Sequence, residues 1–108
     1  MKAPATQKEF DRIVNKKALL DYLKKGKPAA VAAGDYALGC SSDALGRGCL
    51  LHTYLKRMET PFDYVSPKYI HFQQRTFKLS PAVCELAHQI RDCTFAEARK
   101  ILKIKAVK

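Results

Sequence analysis

Five residues near the carboxyl-terminal end of the chain have the types and spacing of a helix that reads DNA. Thr94 can cap a helix whose first turn carries the small Ala96, and Arg99, Lys100 and Lys103 follow on the predicted outer face. Cations on such a face contact phosphates and base edges in the major groove. The predicted chemistry is binding of nucleic acid, with duplex DNA preferred and RNA as the alternative polyanion.

A second group of basic residues lies nearer the start of the chain. Lys16, Lys17, Lys24 and Lys25 fall on one predicted helix, where they could hold phosphates beside the reading helix. Arg47 stands in a stretch of small and hydroxyl-bearing residues and would add a further phosphate contact. The plain alternatives are a solvated face for the lysines and an ordinary turn for the stretch around Arg47.

Aromatic residues interleaved with basic ones offer a different mode of binding. Tyr69, His71 and Phe72 lie close in sequence to Lys68 and Arg75, an arrangement typical of sheets that stack unpaired bases. Core packing is the alternative. We prefer it for Phe72, because a domain of this size needs a core before it needs a stacking platform.

Metal binding and catalysis have weaker support. Two Cys–His pairs could each share a helix face, Cys49 with His52 and Cys84 with His88, but their spacing matches no familiar zinc finger and no Cys-x-x-Cys pair occurs. We therefore expect no metal and no other cofactor. The carboxylates are scattered without a paired motif, so we expect no enzyme, with a small phosphodiester-cleaving enzyme as the alternative.

The charge balance favours a polyanionic partner. The 108 residues include 20 Lys and Arg against 10 Asp and Glu, a net charge of +10. Residues 1–28 hold eight basic and three acidic residues, residues 29–66 three and four, and residues 67–108 nine and three. A field of this strength attracts nucleic acid. Nucleic acid, or a larger protein or nucleoprotein assembly, is the expected partner.

The alternative function is a small basic inhibitor or accessory protein that binds an acidic or nucleic-acid-binding surface of a larger assembly. The sequence leaves the oligomeric state open. No amino-terminal apolar run with the length of a signal peptide follows Met1 and Lys2, and no stretch approaches the roughly 20 apolar residues of a membrane span. We therefore expect a cytoplasmic protein without a membrane partner.

Capping signals define the helices that must position the reading residues. Ser80 with Pro81 begins one helix, and Thr94 with Glu97 forms a capping box for the next. The turn between them is short, so residues 81–103 are predicted to form a helix-turn-helix-like pair, although a plain helical hairpin fits nearly as well. The predicted inner face of the second helix consists of Phe95, Ala98, Ile101 and Leu102.

The remaining elements follow from similar signals. After a flexible tail at residues 1–5, Thr6 caps one helix and Asn15 caps another over residues 16–25, which Gly26 ends. Further helices are predicted over residues 28–38 and up to Arg57, and an edge strand over residues 104–108. The predicted fold is a single basic domain, residues 1–108, of mostly α (α+β) class. It is a compact bundle of five or six short helices with a small strand or hairpin near residues 69–79.

Overall fold

A computed structural model of the chain describes residues 3–33, 50–66, 68–72 and 75–106. These residues contain five helices: α1 (Gln7–Ile13), α2 (Lys16–Lys25), α3 (Leu50–Arg57), α4 (Pro81–Gln89) and α5 (Phe95–Leu102). They also contain five strands: β1 (Val31–Ala33), β2 (Tyr64–Val65), β3 (Tyr69–Phe72), β4 (Arg75–Lys78) and β5 (Cys93–Thr94). The strands form two antiparallel sheets, β1 with β5 and β2-β3-β4.

The helix starts lie where the capping residues predict them. Thr6, Asn15, Ser80 and Thr94 are the N-caps of α1, α2, α4 and α5, and each side chain accepts a hydrogen bond from a backbone N–H in the first turn. The capping box of α5 is complete, because the Glu97 side chain also accepts from the Thr94 N–H at 2.9 Å. These starts are predictable because each cap satisfies orphan N–H groups within one turn.

The segment after α2 differs from its prediction. Residues 28–38 were expected to be helical, but Val31–Ala33 form β1, which pairs with β5. The backbone N–H groups of Phe95 and Ala96 donate to the carbonyls of Ala30 and Pro28, at 3.0 and 3.1 Å. Pairing with a partner some 60 residues away therefore overrides the local helical preference of the alanines. Residues 34–38 lie outside the described part.

The predicted hairpin is confirmed and forms most of the larger sheet. Ile70 of β3 lies opposite Phe77 of β4, and both side chains are buried. The outer edge of β4 is covered by Gln7, whose side-chain amide donates to the Lys78 carbonyl and accepts from the Lys78 N–H. The third strand is β2, not the carboxyl-terminal tail. Residues 104–106, the described part of that tail, are not in a strand.

One cluster of buried side chains connects the helices to the sheets. Phe10 of α1 stacks on Phe77 of β4 with ring centroids 5.1 Å apart, and its ring meets Phe72 edge to face at 6.3 Å. The amino-terminal segment is anchored nearby, since Pro4 is buried and the Ala5 carbonyl accepts a hydrogen bond from Arg75. Hydrophobic burial in this cluster is the main stabilising contribution to the fold.

The class is therefore α+β, as predicted, but the picture of a helical bundle is incomplete. The five described helices pack against two small sheets, and α3 and α5 each contact strand β1. No helix in the described ranges combines the length and the apolar character needed to cross a membrane.

Candidate nucleic-acid interface

Arg99 joins the middle of α5 to the end of α2. Its Nε donates to the Leu23 carbonyl at 2.8 Å, and its Nη2 donates to the Gly26 carbonyl. Leu23 lies in the last turn of α2, where carbonyls lack an intrahelical partner, and a cation there also interacts favourably with the helix dipole. The two helices are thus held together by an arginine that caps one of them.

This contact corrects the predicted face of α5. Arg99 was expected on the outer face, but its side chain is only 8% exposed. Ile101, expected on the inner face, is 52% exposed. The inner face consists of the buried Phe95, Ala98 and Arg99 and of Leu102, which packs against the core as predicted. Arg99 can be buried there because its guanidinium has carbonyl partners.

Gly26 lets α5 approach the end of α2 closely. Its backbone is extended, with φ −68° and ψ 152°, so the position does not require the left-handed region. A Cβ atom built there would lie 2.2 Å from the Phe95 ring, which is closer than such contacts occur. The glycine therefore ends α2 as predicted, but its specific role is to admit the Phe95 side chain.

The backbone N–H groups at the start of α5 are already hydrogen-bonded within the chain. The Phe95 and Ala96 N–H groups bind the carbonyls of Ala30 and Pro28, and the Thr94 side chain accepts from the Glu97 N–H at 3.2 Å. Thr94 is half-buried, and Ala96 is exposed. Strand β5 precedes α5 directly, so the connection from α4 is not the tight turn of a helix-turn-helix. Helices α4 and α5 each contact α2.

Lysines follow or neighbour in sequence the residues that join α2 and α5. Lys25 and Lys27, at and just after the end of α2, are exposed, and Lys24 is half-buried. Lys100 follows Arg99, and Lys103 lies one helical turn beyond it; both are exposed. We call these five residues the basic junction: Lys24, Lys25, Lys27, Lys100 and Lys103.

The other predicted phosphate contacts are not at the basic junction. Lys16 and Lys17 are exposed at the opposite end of α2, about 13 Å away along a helix of this length. Arg47 lies outside the described residues. The Arg99 contact thus holds α5 at the end of α2 that carries Lys24 and Lys25, whereas Lys16 and Lys17 lie at the other end of α2.

An open groove of about 670 Å³ adjoins the basic junction and was not foreseen from the sequence. Its aromatic wall is formed by Tyr22, Tyr54 and Phe95. The centroid of the Tyr22 ring lies 5.2 Å from that of Tyr54 and 5.1 Å from that of Phe95. The exposed Arg57 guanidinium lies 5.0 Å from the Phe95 centroid and 6.0 Å from that of Tyr22. We call this the aromatic groove, lined also by Lys25, Lys27, Asp21 and Met58.

Tyr22 and Arg57 form a polar contact within this wall. The Arg57 Nη1 donates to the Tyr22 hydroxyl at 2.8 Å. Burial raises the pKa of Tyr22, an effect that the charge and hydrogen bond of Arg57 partly offset. Burial likewise raises the pKa of Tyr54, whose hydroxyl donates to the Ile13 carbonyl at 2.7 Å. Both phenols are therefore neutral at physiological pH.

Two groups beside β5 have shifted pKa values for local reasons. The Thr94 backbone and side-chain hydrogen bonds lower the pKa of the Glu97 carboxyl. Burial, followed by the nearby charges of Glu97 and Asp92, raises the pKa of the Cys93 thiol. The hydrogen bonds that lower the Glu97 pKa are those of the α5 capping box, and the raised Cys93 pKa keeps the thiol protonated.

A second groove, of about 920 Å³, lies between the β3–β4 hairpin and α4. Tyr69 is 41% exposed there beside Lys68 and Lys78. Phe72 is buried, which agrees with core packing and not with a stacking platform. The His71 ring hydrogen-bonds with Thr76 at 3.0 Å. The three residues of the predicted platform therefore do not form one continuous exposed surface.

Among the residues that the structure describes, no group of three His, Cys, Asp or Glu side chains could hold a metal ion. His52 is buried with its ring edge-on to Phe62 at 5.2 Å, whereas His88 is exposed. Cys49 lies outside the described residues. Comparisons with protein-family models, with curated proteins and with solved structures find no match to this chain.

Proposed function

We propose that the protein binds nucleic acid through phosphate contacts from the basic junction. The observation that carries this proposal is the Arg99 contact, which holds the middle of α5 against the end of α2, so that the lysines after Arg99 and those at the end of α2 belong to two packed elements. Lysine ammonium groups bind phosphate oxygens, and releasing condensed counterions from the nucleic acid favours association.

The nearby acidic groups only partly offset this charge. Asp21 lines the aromatic groove, and the Glu97 carboxylate is held at the α5 cap by the Thr94 N–H. Asp92, just before β5, adds a third carboxylate. The five lysines of the basic junction and Arg57 outnumber these three acidic groups, and the excess positive charge supports binding of a polyanion.

The proposal rests on phosphate contacts and not on base reading by α5. The Phe95 and Ala96 N–H groups are already bound to carbonyls, and Arg99 is committed to α2. A reading helix needs its first turns to contact base edges in the major groove. We therefore expect binding with little sequence preference and with strong dependence on salt.

The test compares two variants that carry the same net charge. The junction variant combines Lys27→Gln, Lys100→Gln and Lys103→Gln. The control variant combines Lys8→Gln, Lys68→Gln and Lys78→Gln, exposed positions on α1 and the hairpin region. Fluorescence anisotropy with labelled duplex and single-stranded DNA at low salt measures the affinity of each.

We expect the junction variant to bind both DNAs about tenfold or more weakly than wild type, and the control variant to bind within about threefold of wild type. Equal weakening by both variants would mean that net charge alone drives binding. Absence of wild-type binding to either DNA at low salt would refute the proposed function.

A further inference from the structure

The aromatic groove has features that phosphate binding alone does not require. The half-buried Tyr22 ring, the exposed Arg57 guanidinium and the Met58 side chain line a concave surface. Lys25 and Lys27 line the same groove and also belong to the basic junction. Tyr54 and Phe95 are buried, so the half-buried Tyr22 ring and the Arg57 guanidinium are the planar groups of the groove, and they adjoin a site for phosphates.

This combination suits a nucleotide whose base is not paired. Bases in single strands stack on aromatic rings and on arginine guanidinium planes, while the adjoining phosphates bind cations. The volume of the groove lies within the range of small-molecule sites, which is about 300–1,000 Å³. A base inside a duplex is stacked on both faces and paired along one edge, so it cannot enter such a groove without being flipped out.

We propose that the aromatic groove holds an unpaired nucleobase, so that the protein prefers single-stranded nucleic acid to duplex. This inference rests on the proposed function, because the strand is held near the groove by the basic junction.

Charge complementarity favours this occupant over other planar or apolar groups. Lys25, Lys27 and Arg57 line the groove together with one carboxylate, Asp21. A hydrophobic peptide side chain would cover the ring surface but would supply no negative charge for the excess of cations over Asp21. A nucleotide supplies both the π face and the anion, and its neighbours along the strand supply further phosphates for Lys100 and Lys103.

The test separates the base from the backbone. Two labelled strands of twelve nucleotides carry the same phosphates, one with thymine bases and one with abasic sites throughout. Base stacking strengthens binding about fivefold or more per stacked base. We expect wild-type protein to bind the thymine strand at least about fivefold tighter than the abasic strand, and also tighter than a twelve-base-pair duplex.

Three variants locate the base. Arg57→Lys keeps the charge but removes the planar guanidinium, and Tyr22→Leu removes the ring; each should bring the thymine-to-abasic affinity ratio close to one. Tyr69→Leu, in the second groove, is the matched control and should leave the ratio unchanged. Because Arg57 is exposed, Arg57→Lys decides the matter if Tyr22→Leu unfolds the protein.

The outcomes distinguish this inference from the proposed function. Equal affinity for the thymine and abasic strands, with both weakened in the junction variant, would overturn the base site and leave phosphate binding intact. Loss of the ratio in Tyr69→Leu alone would also overturn it. Displacement of the strand by thymidine monophosphate at equal nucleotide concentration would overturn the assignment to a strand.

Discussion

Replacing Arg99 with methionine removes both hydrogen bonds between α5 and the end of α2. The side chain is 8% exposed, and its Nε lies 2.8 Å from the Leu23 carbonyl. A hydrogen bond from a charged group contributes about 1.5–3 kcal/mol, so two set an upper limit of about 6 kcal/mol. Methionine recovers part of this through apolar packing and avoids the cost of burying a charge. We expect a net loss of about 2–4 kcal/mol.

The assay is urea and thermal unfolding followed by far-ultraviolet circular dichroism. In a domain of this size each kcal/mol lowers Tm by about 4–8 °C, so Arg99→Met should lower Tm by at least about 8 °C. Arg99→Lys should fall between wild type and Arg99→Met, because an ammonium group cannot reproduce the guanidinium fork. The matched control is Lys100→Met, at an exposed position of the same helix, expected within about 0.5 kcal/mol of wild type.

The stability result also bears on the function. If Arg99→Met unfolds no more readily than Lys100→Met, then Arg99 does not cap α2, and the description of the basic junction is wrong. If Arg99→Lys is folded but less stable and also binds DNA more weakly than wild type, the result agrees with a basic junction that depends on the Arg99 contact with α2.

Three further predictions concern the same region. Gly26→Ala should lose about 1–3 kcal/mol of stability, because its Cβ would lie 2.2 Å from the Phe95 ring, and Phe95→Leu should restore part of that loss when combined with it, as measured by urea unfolding. Glu97→Gln should lower Tm near pH 7, and the difference from wild type should shrink as pH falls below the ordinary carboxyl pKa of 4.5 toward the lowered folded-state value, because a depressed pKa stabilises only the ionised form. A difference that is constant from pH 7 to pH 3 would contradict this. Cys93, buried and with a raised pKa, should be alkylated by iodoacetamide at pH 8 more slowly than the half-buried Cys84, as peptide mass spectrometry can show; equal rates would mean that β5 opens readily.

Local signals predicted the helices well, because a cap and its partner lie within one turn of the chain. Asn15, Ser80 and Thr94 mark helix starts that the structure reproduces, and Gly26 marks the end of α2. The hairpin was also predictable, because its aromatic and β-branched residues lie close together in sequence.

Long-range partners could not be read from the sequence. Strand β1 forms because it pairs with β5, and no local sequence signal within residues 28–38 indicates that pairing. Arg99 was placed outside because a helical wheel treats arginine as polar, whereas its carbonyl partners on α2 are revealed only by the fold. The aromatic groove draws Tyr22, Arg57 and Phe95 from three helices, so no local spacing signals it.

If the basic junction neutralises phosphates, the affinity for nucleic acid must depend on salt concentration in a way that its lysines determine. The slope of log Kd against log salt concentration for a single strand counts the neutralised phosphates, at about 0.7 per contact. We expect the slope of the junction variant to be lower than that of wild type by up to about 2, for three lysines removed, and the slope of the equally charged control variant to be unchanged. A slope that falls equally in both variants, or in neither, would contradict the claim.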